Sequence, residues 1–194
     1  QTIDSDVDVL VITKDKGIKL AIKEEKIEVT SLSVDKLKRA IKRHPVVYYQ
    51  MVHESVPIIN ASMLEELKKI KPGKKSFKPY IEETKEHLKS NKELIELDAI
   101  DNEYLKSYSA LYSLILRLRG MFIIKCILNN EDFSNKKFRK FLAGKGVSSV
   151  EIEDSYKAYR AIRDNIEAKK LKIKLDTARK ISAIAEKELE LLEA

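Results

Sequence analysis

Between Glu103 and Asn129 apolar side chains fall on nearly every face of a helix: Leu105, Tyr108, Leu111, Tyr112, Ile115, Leu118, Phe122 and Leu128. A helix with one apolar stripe can lie on a surface. One that is apolar nearly all round has to be surrounded by other helices. The segment therefore predicts a central helix over 103–129 with a bundle built around it. The flanking sequence supplies the neighbours. Pro79 to Ile95 reads as one amphipathic helix. Ser134 caps a short helix that ends near Leu142, where Gly144 and Gly146 break it, and Ser149 opens another through Ile166. A last helix runs to about Leu192. Residues 79–194 are expected to form an all-α bundle domain with no sheet.

The first 70 residues follow a shorter period. Val7 to Thr13 is rich in β-branched residues and reads as a buried strand. Lys14-Asp15-Lys16-Gly17 carries turn chemistry. Ile18 to Ile22 alternates apolar and polar, as a second strand would. After a turn at Glu24-Glu25, Lys26 to Leu32 alternates again as a third. Ser33 caps a helix that begins at Val34 and stops at His44-Pro45, because a residue before proline avoids the helical region. Tyr48 to His53 is a further helical or extended piece. Val56 to Asn60 reads as a short edge strand, since Pro57 has no N–H for a central ladder. Ser62 to Lys71 is helical, and Lys71 to Lys78 is the linker candidate. The expected class is α+β: a small mixed-sheet domain over 1–70, then the bundle.

Composition narrows what such a chain can do. Of 194 residues, 36% are charged and 43% hydrophobic, which suits a globular protein with a strongly charged surface. One cysteine, Cys126, excludes an internal disulfide framework and points to a reducing compartment, the cytoplasm. No apolar run reaches the roughly 18–20 residues of a membrane span, and the N-terminus has no signal-peptide pattern. No membrane partner is expected, and self-association is left open. The net charge of +7 is uneven. Lys68, Lys69, Lys71, Lys74, Lys75 and Lys78 form one basic run, and Lys136, Lys137, Arg139, Lys140 and Lys145 a second. Such runs attract phosphates, or they are solvated lysine-rich surface.

The sharpest chemical pattern lies at the start of the first strand. Asp6 and Asp8 stand two residues apart, so strand alternation puts them on one face, with Val7, Val9 and Val11 directed the other way, into the core. Adjacent carboxylates repel each other and are tolerated where a divalent cation neutralises them. Magnesium takes oxygen ligands and is often held by one or two carboxylates plus substrate phosphates. Glu28, central in the third strand between Ile27 and Val29, meets Asp6 and Asp8 if the strands pair. Three carboxylates can then hold two metals about 4 Å apart.

Residues 2–11, with Ser5-Asp6-Val7-Asp8 at their centre, resemble the second half of the signature of DNA-polymerase-beta-like nucleotidyltransferases. Lys26 to Ser33, His44-Pro45 and Val56-Pro57-Ile58-Ile59 are similar to the kanamycin nucleotidyltransferase branch, where the third carboxylate is a Glu between apolar strand residues. The resemblance covers residues 1 to about 60. The helical remainder is similar in outline to the C-terminal halves of that family and of archaeal-type relatives. The resemblance implies Asp6, Asp8 and Glu28 as catalytic carboxylates, Asp6 and Asp8 as ligands of Mg²⁺ or Mn²⁺, and Ser5 at the nucleotide. It further implies a nucleoside triphosphate as substrate and transfer of its monophosphate to an acceptor hydroxyl on a small molecule, protein or RNA. The family pattern sets a Gly-Ser pair ahead of this strand, which puts it upstream of Gln1.

Other residues point less sharply. Tyr156, Arg160, Arg163 and Asp164 share helical spacing and could touch phosphate, but an ion-pair stripe with Tyr156 in the core is the simpler reading. Arg117 and Arg119 read as snorkelling at the bundle edge. His44, His53 and His87 lack zinc-ligand spacing, Cys126 reads as core, and no P-loop or dinucleotide-binding glycine fingerprint is present. Two alternatives to the enzyme stand beside it. One is an inactive nucleotidyltransferase-like binding module, such as an antitoxin. The other is a basic RNA-binding protein without chemistry.

Overall fold

A computed structural model describes residues 7–15, 27–165 and 171–194. The protein is α+β, with eight α-helices and one two-stranded parallel sheet among the described residues. It divides into two compact units, Gln1–Phe77 and Lys78–Ala194.

In the first unit, β1 (Val7–Thr13) pairs in parallel with β2 (Ile27–Ser33), Val7 opposite Ile27 through Thr13 opposite Ser33. The strand expected at Ile18–Ile22, which would make the sheet mixed, lies outside the described residues. Ser33 ends β2 and caps α1 (Val34–Arg43), its hydroxyl accepting from the Lys36 N–H at 3.4 Å. Pro45 then starts α2 (Pro45–Glu54) at the one helical position where a missing N–H costs nothing. This settles the stretch around Tyr48–His53 as helix. After α3 (Ala61–Lys68), Lys74–Phe77 form a 3-10 turn. Leu37, Ile41, Val52, Leu64 and Leu67 make the core of this unit, and Leu10, Ile12 and Leu32 from the sheet pack against it.

Three expectations need correction here. Val56–Asn60 is not a strand: it is an irregular loop, and Val56, Ile58 and Ile59 are 84%, 88% and 87% exposed. Asn60 closes it in the left-handed conformation (φ 56°) and caps α3 through its side chain. Pro57 supplies no ladder donor and, among the described residues, no strand runs alongside. The segment Lys71–Lys78 is more than a linker, because Phe77 is buried and its 3-10 turn packs on α1 and α2. Finally, the helical core takes the Leu10–Ile12 face of β1, not the face of Val7, Val9 and Val11.

The second unit holds α4 (Lys78–Ala99), α5 (Ser109–Leu128), α6 (Asn135–Gly144), α7 (Ser149–Arg163) and α8 (Leu175–Glu193). As its all-round apolar sequence requires, α5 packs against α4, α7 and α8, with Leu111, Leu114, Ile115, Leu118, Met121 and Ile124 fully buried. It begins six residues later than the periodicity predicts. Leu105 N–H donates to Ile173 O and Leu175 N–H to Glu103 O, so residues 103–105 are drawn into a bridge with 173–175 instead of a helical turn. Ser134 caps α6 as expected. The cap of α7 is Ser148, not Ser149: its hydroxyl accepts from Glu151 N–H while the Glu151 carboxylate accepts from Ser148 N–H, a reciprocal capping box. The helix ends at Arg163, and Ile166 lies outside the described residues. No helix of the described residues is long and apolar enough to cross a membrane.

Candidate functional site

Asp8 and Glu28 each occupy the second position of their strand and stand opposite one another in the parallel register. Neighbouring strands lie about 4.8 Å apart, and directly paired residues point to the same face. Both side chains are exposed. Among the described residues, neither carboxylate carries an ion pair or hydrogen bond. Glu28 is expected at mid-strand in a strand from Lys26; it is the second described residue of β2, and Lys26 lies outside the described residues.

Alternation puts both carboxylates on the face that the helices cover further along the sheet. Asp8, Leu10 and Ile12 share one face of β1, and Glu28, Thr30 and Leu32 the matching face of β2. Leu10, Ile12 and Leu32 are covered by the helices. Helix α1 leaves from Ser33, at the far end. Among the described residues, one face of the sheet therefore changes along its length from apolar and covered at Leu10, Ile12 and Leu32 to acidic and exposed at Asp8 and Glu28.

Two adjacent carboxylates, unpaired among the described residues, are a hard-oxygen donor set and fit a divalent cation such as Mg²⁺ or Mn²⁺. Asp6 and Ser5 lie outside the described residues. Among those described, no cluster of three or more His, Cys, Asp or Glu gathers, so the pair Asp8–Glu28 is what the structure brings together.

The remaining candidates resolve into structural roles. Arg160 lies 3.8 Å from Glu153, Arg163 pairs with Asp164 at 2.6 Å, and Tyr156 is buried, which is the ion-pair stripe expected of α7. Arg117 donates to Glu83 at 2.8 Å and lies over the Tyr80 ring. His53 stacks on Tyr49 and bonds the Lys68 carbonyl, and His87 sits 3.5 Å from Glu83. Burial pushes the Cys126 thiol up, so it is an inert core group. Of the second basic run, Arg139 bonds Glu153, Lys145 pairs with Glu188, and Lys137 donates to Asp132 O.

One buried group was passed over in the sequence. Glu188 is 1% exposed and is held between Lys125 and Lys145. Burial opposes its charge, but the two ammonium groups hold its carboxyl below the usual range. The signal was present as an acid on the apolar stripe Ile181, Ile184, Ala185, Leu189 of α8. With Lys145, Lys180 and Lys187 it lines a shallow cavity of about 320 Å³. No family model, curated protein or solved structure matches the chain.

Proposed function

We propose that this protein is a metal-dependent nucleotidyltransferase, moving a nucleoside monophosphate from a triphosphate to an acceptor hydroxyl. The observation that carries the reading is the register pairing of Asp8 with Glu28. It is the juxtaposition that the Ser-Asp-x-Asp resemblance calls for, and it involves two residues 20 positions apart. Asp8 and Asp6 are the proposed metal ligands, Glu28 completes the set, and Ser5 contacts the nucleotide.

A divalent cation at this site neutralises the triphosphate and lowers the pKa of an oxygen bound to it. The chain's own residues do the rest. Asp8 holds the charge centre at the strand start, and Glu28 takes the proton of the acceptor hydroxyl as its oxygen bonds to the α-phosphorus. The bond to the departing pyrophosphate breaks in the same step. Positioning and charge neutralisation dominate such transfers. In this reading the acceptor is a small molecule, a protein or an RNA.

The test is incubation of the protein with labelled nucleoside triphosphates, magnesium and cell extract, followed by detection of the labelled acceptor. Glu28→Gln should keep the fold and most nucleotide binding while turnover falls by about 10²–10⁴, the range for losing a general base. Manganese binding should be lost in Asp8→Asn. Equal labelling by wild type and Glu28→Gln refutes the assignment.

A further inference from the structure

The first unit distributes its charge differently from the second. Helix α1 buries one side, with Leu37 and Ile41 both 0% exposed in the core. Helical spacing then turns Lys38 and Lys42 outward as one row and Arg39 and Arg43 as the row beside it, and all four are exposed. Within each row the two residues stand about 6 Å apart along the helix axis. Asp35 is the one acid of the helix, and Arg39 Nε donates at 3.3 Å to its backbone carbonyl, not to its carboxylate. The 3-10 turn Lys74–Phe77, anchored by buried Phe77, packs against α1 and brings exposed Lys74 and Lys75 to the same helix.

Among the described residues, none of these six side chains pairs with a carboxylate. The second unit treats its basic residues otherwise. There Lys85 pairs with Glu193, Lys92 with Glu186, Lys157 with Asp154 and Arg179 with Glu96. A charged surface that serves solubility intersperses both signs, as the second unit does. Like charges four residues apart on a helix repel each other. Two such rows on one ten-residue helix are relieved when a polyanion neutralises them.

Two kinds of polyanion carry that charge density, a nucleic acid and an anionic lipid surface. A helix that lies in a lipid interface turns its apolar face to the acyl chains. The apolar side of α1 is committed to the core, and its outward side offers charge alone. The guanidinium forks of Arg39 and Arg43 also match phosphate oxygens better than a point charge does. We infer that the outward face of α1, extended by Lys74 and Lys75, binds the phosphate backbone of a nucleic acid without reading its sequence. The inference does not rest on the carboxylate pair or on nucleotidyl transfer.

The experiment is a fluorescence-anisotropy titration of the full chain against a labelled single-stranded RNA and, separately, a labelled DNA duplex, over a series of salt concentrations. Expected is saturable binding of at least one, with log affinity falling linearly against log salt by about 0.7 per phosphate contact for a single strand and about 0.9 for a duplex. Combining Lys38→Gln, Arg39→Gln, Lys42→Gln and Arg43→Gln should weaken binding by roughly tenfold or more at low salt and flatten the slope by about 3. Combining Lys85→Gln, Lys92→Gln, Lys157→Gln and Arg179→Gln removes the same net charge from the second unit and should change affinity by less than about threefold. Lys74→Gln with Lys75→Gln should weaken binding severalfold, and this pair lies off α1, so it decides the matter should the first variant lose its helix by circular dichroism. No salt-dependent binding of either nucleic acid overturns the inference. Equal losses in the two fourfold variants overturn it too, by showing an effect of net charge alone, as does unchanged affinity without Lys74 and Lys75. Tighter binding to phosphatidylserine vesicles than to either nucleic acid overturns it in favour of a lipid surface.

Discussion

Gly120 sits mid-helix in α5, where a glycine costs stability for no backbone reason, and the structure supplies a steric one. A Cβ at this position would lie 1.7 Å from the Tyr80 hydroxyl, 2.4 Å from its Cζ and 3.0 Å from Cε1. Tyr80 lays its ring end against the bare backbone of α5. Its hydroxyl donates to Arg117 O at 3.3 Å, and the Arg117 guanidinium stands 5.5 Å from the ring centre. Burial pushes the phenol up to about 12. Gly120→Ala should gain about 1 kcal/mol of helix propensity. Against that, displacing a packed ring costs about 1–3 kcal/mol and losing its hydrogen bond about 1 kcal/mol more. The net expectation is destabilisation by about 1–3 kcal/mol.

The decisive comparison is the same change in a Tyr80→Ala background. There the obstruction is gone, and Gly120→Ala should stabilise by about 1 kcal/mol. The sign therefore reverses, with a coupling of about 2–4 kcal/mol between residues 40 positions apart. Native-state amide exchange of the α5 interior reads this unit without assuming that both units unfold together. If Gly120→Ala is neutral or stabilising in wild type, or has the same sign in both backgrounds, then Tyr80 is not what excludes a side chain at Gly120.

Further expectations follow from single contacts. Glu151 accepts from Lys180 at 2.8 Å and from the Ser148 N–H, and these bonds hold its carboxyl at about 2, down from its usual 4.5. A depressed folded-state pKa stabilises above the unfolded value, and that contribution is lost as pH falls through the folded one. Glu151→Gln should therefore lower stability at neutral pH and flatten the acid limb of the stability profile between about pH 4.5 and 2. A limb as steep as wild type's would contradict this. Ile58→Ser with Ile59→Ser should change stability by no more than about 0.5 kcal/mol, because two exposed side chains surrender no packing. A loss of several kcal/mol, measured by denaturant unfolding, would mean that the loop is covered in the native protein.

Features set by neighbours in sequence were legible in advance. Ser33 and Ser134 cap their helices through contacts three residues away, Pro45 begins α2, and the apolar circumference of α5 places it centrally. Features set by distant residues were not. Residues 103–105 have helical spacing, but two hydrogen bonds to residues 173–175, some 70 positions on, take their backbone. Val56–Ile59 has strand composition, but composition cannot provide a partner strand.

The carboxylate site divides along the same line. Residue types and the two-residue spacing of Asp6 and Asp8 were visible, and so was the apolar setting of Glu28. Whether Glu28 shares a face with Asp8 depends on register, and a one-residue slip of β2 would turn every side chain of that strand over. The observed register brings Leu32 onto the Leu10–Ile12 face, where the helices bury it. A slip would send Leu32 to the opposite face and present Ser31 and Ser33 to the core instead. The same burial of Leu10, Ile12 and Leu32 that stabilises the sheet therefore fixes Glu28 beside Asp8, and the acidic pair is held by hydrophobic contacts that neither carboxylate makes.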